Sequence, residues 1–343
     1  MLDAIKTEIE LCILEEGEII ETIYFGGGTP SLLSSDELVS LINTIRTKFS
    51  VAHDAEITLE ANPDDINMHS LEDWKNLGIN RLSVGIQSFQ EDELLWMNRA
   101  HSAHESTRCI EEIIKIGFTN FSVDLIYGSP LLSDEDFKKN VDTIFSYNVP
   151  HISCYALTVE PKTVLNKLIR EKKSLPVDND KQSAHFTLLM GWMREAGYEH
   201  YEISNFSKPG MYSRHNNSYW SGTPYFGFGP SAHSFNGTDK RKWNIANNAL
   251  YIQSLKKELI PGTEEILTVT QRLNETIMIS LRTSRGIDLQ KLEENFGTDR
   301  KTTLVHQSKK HIENGTIVYE NGHLVLTDNG KLLADGIAAD LFF

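Results

Sequence analysis

The chain has 343 residues, 40% of them apolar and 24% charged, with 33 Lys and Arg against 48 Asp and Glu and a net charge of −15. This composition excludes disordered, collagen-like and disulfide-stapled classes, and the apolar runs are too short for a membrane-spanning helix. The acidic balance, with no basic patch to override it, argues against a nucleic acid or an anionic membrane surface as partner. No basic segment followed by an apolar run opens the chain, which predicts a cytoplasmic protein. Cys12, Cys109 and Cys154 form no Cys-x2-Cys or Cys-x3-Cys pair, so they read as buried small apolar residues and not as metal ligands.

Residues 3–15 have the period of a helix, with Ile5, Ile9, Cys12 and Ile13 on one face. Runs rich in β-branched and aromatic residues predict strands at 22–25, 56–61, 81–85, 121–126, 151–156 and 198–203. Between them, helical periodicity covers 36–48, 70–77, 103–116, 134–147 and 178–196, several of these segments opened by Ser or Asp caps. Strand alternating with helix predicts βα units on a parallel sheet. Because a helix opens the chain, the first unit lacks its strand; the fold is either a barrel without its opening strand or an open crescent.

The turns that follow the strands are polar and specific. They are Gly26-Gly27-Gly28-Thr29-Pro30, Glu60-Ala61-Asn62-Pro63, Gln87-Ser88-Phe89, Asp124 with Tyr127-Gly128, and Tyr155-Ala156-Leu157. In a βα barrel such loops share one mouth. From about residue 208 the chain turns Gly-, Asn- and aromatic-rich, which suits a pocket for a flat ligand or a loop-rich cover over a sheet end. Residues 264–343 read as helices near 270–282, 288–295 and 302–314, then strands 316–319 and 323–326 across an Asn321-Gly322 turn, a winged-helix pattern. Its nine Lys and Arg against twelve Asp and Glu favour a structural or protein-docking role over DNA binding. The predicted divisions are 1–207, 208–263 and 264–343.

Glycines at a strand end let main-chain groups approach a small ligand, and Thr29 adds a hydroxyl. Glu60, Gln87, Arg99 and Asp124, from separate units, suit a zwitterion with hydroxyls: carboxylates for an ammonium and a diol, a guanidinium for a carboxylate. His215, followed by Tyr219 and Trp220, would in a short loop set an imidazole beside aromatic faces, which suits haem iron or a macrocycle edge.

Gly26-Gly27-Gly28-Thr29-Pro30-Ser31, Glu60-Ala61-Asn62-Pro63, Gly85-Ile86-Gln87-Ser88-Phe89, Asn98-Arg99-Ala100-His101, Asp124-Leu125-Ile126-Tyr127-Gly128, Tyr201-Glu202-Ile203-Ser204-Asn205-Phe206, His215-Asn216-x-x-Tyr219-Trp220 and Gly227-Phe228-Gly229-Pro230-Ser231-Ala232 together resemble a known family. The family is that of radical S-adenosylmethionine proteins related to oxygen-independent coproporphyrinogen III oxidase, and within it the HemW-type haem chaperones. The resemblance runs from about residue 21 to the C-terminal block. It implies an α/β fold, a partial (βα)6 barrel missing its first strand, plus a winged-helix-like α+β region. It also implies S-adenosylmethionine across the strand ends, with Gly27, Gly28 and Thr29 at its methionyl amine and Arg99 at its carboxylate. Glu60, Gln87, Asp124 and Ala156 would meet the remaining groups, and His215, Tyr219 and Trp220 match the family's haem-associated element. The implied function is a haem chaperone that delivers haem to haem-requiring proteins; the alternative is the oxidase, an anaerobic oxidative decarboxylation of coproporphyrinogen III. The family's [4Fe–4S] cluster sits on a Cys-x3-Cys-x2-Cys run that this chain lacks. The resemblance places that run upstream of residue 1 and predicts no deoxyadenosyl radical from the chain as it stands.

Overall fold

A computed structural model describes residues 1–13 and 17–343. These divide into two units, one of Met1–Ile23, Leu33–Glu56 and Arg214–Phe343, the other of Tyr24–Leu32 and Ile57–Ser213. A seven-stranded sheet is built from β1 (Ile19–Phe25), β2 (Ser50–Ala61), β3 (Arg81–Gln87), β4 (Phe121–Tyr127), β5 (His151–Ala156), β6 (Glu199–Glu202) and β7 (Asn205–Ser207). Its order is β1-β2-β3-β4-β5-β7-β6.

In the second unit β2 to β5 pair in parallel, and the helices Met68–Asn76, Ala103–Lys115 and Asp134–Ser146 make the crossovers. Residues of period two divide the sheet into unlike faces. Leu59, Leu82, Val84, Val123, Leu125 and Ile152 are buried on one face, among crossover side chains such as Leu71, Trp74, Ile110, Phe137 and Ile144. Each such residue contributes about 1.5–3 kcal/mol through burial. The register Thr58↔Arg81, Glu60↔Ser83, Ser83↔Ser122 and Asp124↔Ser153 puts a polar row on the opposite face. That row leads to the strand ends, where the candidate residues stand.

The segment predicted as a sixth strand departs from the simple βα rhythm. β6 does not pair with β5; it turns back into β7, which lies antiparallel to both. Glu202 holds the turn by accepting from Asn205 Nδ2 and, at 3.2 Å, from the Ser204 amide.

In the first unit, β8 (His233–Phe235), β9 (Lys240–Asn244) and β10 (Gly262–Ile266) form an antiparallel sheet. The opening helix Leu2–Leu11 buries Glu8, whose carboxylate accepts from the Gly229 amide at 2.9 Å, Asn244 Nδ2 at 2.6 Å and the Tyr251 hydroxyl. The C-terminal block carries the helices Val269–Leu281, Leu289–Phe296 and Thr298–Glu313. Its sheet has the order β11-β13-β12, from β11 (Ile287–Asp288), β12 (Ile317–Glu320) and β13 (His323–Leu326). Asn321 and Gly322 take φ of 49° and 83°, as the predicted wing turn requires. Among the described residues no helix is long and apolar enough to cross a membrane.

Candidate functional site

In the second unit, the first strand end is shaped by Gly26. A Cβ there would lie 2.5 Å from Tyr24 Cε1 and 2.9 Å from Glu60 Oε1. The bare backbone lets Tyr24 donate its hydroxyl to Glu60 Oε1 at 2.7 Å while the Gly27 amide donates to Glu60 Oε2 at 3.1 Å. Gly27 and Gly28 have φ of 77° and 70° and are exposed, with open space where a side chain would start. Backbone of that shape resists any β-branched residue.

A second group gathers around Gly85, a glycine inside β3. A Cβ there would meet Gln87 Nε2 at 3.0 Å and Arg99 Nη2 at 3.5 Å. Arg99 donates from Nη2 to Asn62 Oδ1 at 2.9 Å and to the Gly85 carbonyl at 3.0 Å. Gln87 leaves the strand at φ 68°, where the register with β4 shifts. Arg99 Nε and Asp124 Oδ1 are buried and have no hydrogen-bond partner. Burial pushes the Asp124 carboxyl up to about 7, with the Glu60 carboxylate adding to the rise while Ser153, Arg81 and Arg99 oppose it. Burial likewise draws the Arg99 guanidinium down, against the pull of Asp64 and Asp124. Thr29 precedes the turn Pro30–Leu32 and Ala156 ends β5; both are partly exposed. An open glycine backbone beside an unsatisfied acid and an unsatisfied guanidinium can hold a zwitterion.

In the first unit, His215 lies in the helix Arg214–Trp220 and not in the loop its composition suggests. The reason is remote in sequence: buried Glu56 accepts from the Arg214 amide at 3.2 Å and the His215 amide at 3.0 Å, satisfying the first turn. His215 and Tyr219 then share a face at i and i+4. Their rings meet edge-on at 5.1 Å, with Nε2 3.1 Å from the Tyr219 hydroxyl. Nδ1 stands 2.8 Å from Thr22 Oγ1. Burial lowers the imidazole's proton affinity, against the nearby Glu56 carboxylate, so the ring is neutral at pH 7. Trp220 faces elsewhere, its ring 5.5 Å beneath the Arg282 guanidinium and its buried Nε1 without a partner. The structure thus joins His215 to Tyr219, and Tyr219 to Tyr225 at 4.9 Å, while sending Trp220 to Arg282.

The aromatic region also carries an open, shallow pocket of about 450 Å³ lined by Tyr225, His233, Arg241, Trp243 and Glu265, in which His233 stacks on Trp243 at 6.3 Å. Sequence reasoning named Asn62 only within a polar strand-end turn and Gly85 only within a motif, with no role for either, and missed Thr22, Tyr24 and Glu56. Gly85 carried a signal of its own, an isolated glycine within a strand pattern.

Residues 2–144 match the radical SAM superfamily model, and residues 267–333 the HemN C-terminal domain. The haem chaperone HemW of Bacillus subtilis is 33% identical over 98% of this chain and 89% of its own length. That of Mycobacterium tuberculosis is 33% identical over 98% of this chain and 85% of its own length. The coproporphyrinogen III oxidase HemN of Escherichia coli, a radical SAM enzyme, superposes with a TM-score of 0.85 over 99% of this chain and 82% of its own. At 22% identity that likeness establishes the fold, a partial barrel with C-terminal helices and small sheets.

The family implies S-adenosylmethionine and a [4Fe–4S] cluster. The orphaned Arg99 Nε and Asp124 Oδ1, beside the open Gly27-Gly28 backbone, fit the first. The cysteines do not fit the second: burial pushes the Cys109 thiol up to about 12 and raises Cys154 and Cys12 too, the reverse of a ligating thiolate. Among the described residues no group of three His, Cys, Asp or Glu is placed to hold a metal. On sequence kinship across nearly its whole length and on its fold, the chain belongs to the HemW family of radical S-adenosylmethionine proteins.

Proposed function

We propose that this protein is a haem chaperone, taking haem through His215 and passing it to haem-requiring proteins of the cytoplasm. The observation that carries the reading is the His215 imidazole: neutral, fixed at Nδ1 by Thr22 and turned at Nε2 toward the Tyr219 hydroxyl. This is the arrangement of an imidazole that ligates through one nitrogen and is oriented through the other. The relatives named as haem chaperones agree with it. In this reading residues 1–207 bear the S-adenosylmethionine site, 208–263 the haem site, and the acidic block 264–343 meets protein partners.

We assign S-adenosylmethionine to the strand ends, its carboxylate to Arg99, its methionyl end to Gly27, Gly28 and Thr29. Its other groups go to Glu60, Gln87, Asp124 and Ala156. When bound it supplies a sulfonium; the chain's own part is to hold it. The Gly27 amide is engaged by Glu60, so at that position a carbonyl oxygen is the group that would meet an ammonium.

The test is a haemin titration of the 343-residue protein followed at the Soret band, beside His215→Ala. A saturable one-to-one complex that weakens at least about 100-fold in the variant is the expected outcome. Equal affinity in the two proteins would remove haem from His215.

A further inference from the structure

Thr22 sits in β1, 193 residues from His215, and touches it through one atom pair, Oγ1 to Nδ1 at 2.8 Å. A neutral imidazole has one N–H and one lone pair, so Thr22 and Tyr219 cannot play the same role. A phenol is a stronger hydrogen-bond acid than an aliphatic alcohol. The favoured arrangement therefore has Tyr219 donating to Nε2 and Nδ1–H donating to Thr22 Oγ1. Thr22 is partly buried, and Glu56 fixes the backbone of the same turn through the Arg214 and His215 amides, so the ring cannot swing away without breaking contacts at both ends. Tyr219 is different: the residue is 41% exposed, with its ring edge-on to Tyr225 at 4.9 Å.

Resting on the haem reading above, we propose that Thr22 is the positioning residue of the haem site, holding His215 in the tautomer whose lone pair is at Nε2, the atom that would meet iron. Tyr219 is the removable cap on that lone pair. With iron at Nε2 the Tyr219 hydroxyl would give up its bond to that nitrogen, and no covalent bond of the protein would change. The Thr22 contact then persists in the complex and lends electron density to the iron through Nδ1–H.

Haemin titrations of Thr22→Val, Thr22→Ser and Tyr219→Phe, with the iron–histidine stretch of the reduced complexes read by resonance Raman, test this. Thr22→Val should weaken binding about 10- to 100-fold and lower the stretching frequency, and Thr22→Ser should restore both. Tyr219→Phe should bind about fivefold faster, since no hydroxyl need be displaced. Wild-type affinity and frequency in Thr22→Val would overturn the proposal, as would slower binding in Tyr219→Phe. Should Thr22→Val fail to fold, the Tyr219→Phe rate and the frequency in Thr22→Ala decide. His215→Ala separates the two levels. If it keeps wild-type binding the haem site itself is elsewhere, whereas if it loses binding while Thr22→Val does not, only the role of Thr22 falls.

Discussion

The region of Glu8, Glu56 and His215 and the strand ends of the second unit handle buried polar groups in opposite ways. In the first, Glu8 receives three donors, Glu56 receives two backbone amides, and both ring nitrogens of His215 have partners. In the second, the strand ends leave Arg99 Nε and Asp124 Oδ1 buried and unpartnered, with the Asp124 carboxyl pushed up to about 7 by burial. Saturated groups hold a backbone in place; unsaturated ones await a ligand. By this measure the strand ends hold unsatisfied groups, while His215 is already partnered at both ring nitrogens.

The contrast breaks most visibly at Glu8. Glu8→Ala leaves the Gly229, Asn244 and Tyr251 donors without their acceptor and should cost about 4 kcal/mol in urea unfolding. An unchanged midpoint would show that the saturation is ornamental. Next comes Gly28→Val, which forces a β-branched residue to φ 70° in the ligand's approach. It should reduce S-adenosylmethionine binding by about 100-fold or more in equilibrium dialysis.

Asp124 sharpens the comparison through pH. Its folded carboxyl titrates near 7, above the ordinary value of 3.8, so the folded chain keeps a proton that the unfolded chain releases. The stability so contributed is full below about 4 and is lost as pH rises through about 7. Asp124→Asn should therefore raise stability at pH 8 by about 2 kcal/mol and leave it nearly unchanged at pH 4, by urea titration at both. The smallest effect is expected from Arg99→Lys, which keeps the charge and loses the planar fork. A weakening of S-adenosylmethionine binding by about tenfold is expected, and an equal dissociation constant would reduce Arg99 to a structural tie between Asn62 and Gly85.

Much of the second unit was legible from local pattern. The β2 to β5 strands and their crossovers follow from period and caps, such as the Ser102 capping box that opens Ala103–Lys115 and the Ser133 cap that opens Asp134–Ser146. What local pattern hides is pairing. The three residues of β7 are too few to show a period, yet they separate β6 from β5. The helix at His215 is hidden for a related reason. Arg-His-Asn-Asn-Ser is a poor helix former, and the carboxylate that makes it one comes from Glu56, 158 residues earlier. Of the strand-end residues, Glu60, Gln87, Arg99 and Asp124 were readable as polar groups at the ends of predicted units. Their tie to Asn62, Tyr24 and Gly85 depends on side chains meeting across strands, which no single segment encodes.

The Glu8 knot has a consequence for how the molecule comes into being. Its partners lie 221, 236 and 243 residues downstream, so the Glu8 carboxylate stays without them until most of the chain has left the ribosome, although the helix that carries it already meets Ser35–Lys48. The second unit, drawn mainly from the continuous stretch Ile57–Ser213, can collapse during synthesis. The Glu8 contacts are thereby among the last to form, and a chain whose synthesis stops early carries the strand ends of the second unit without them.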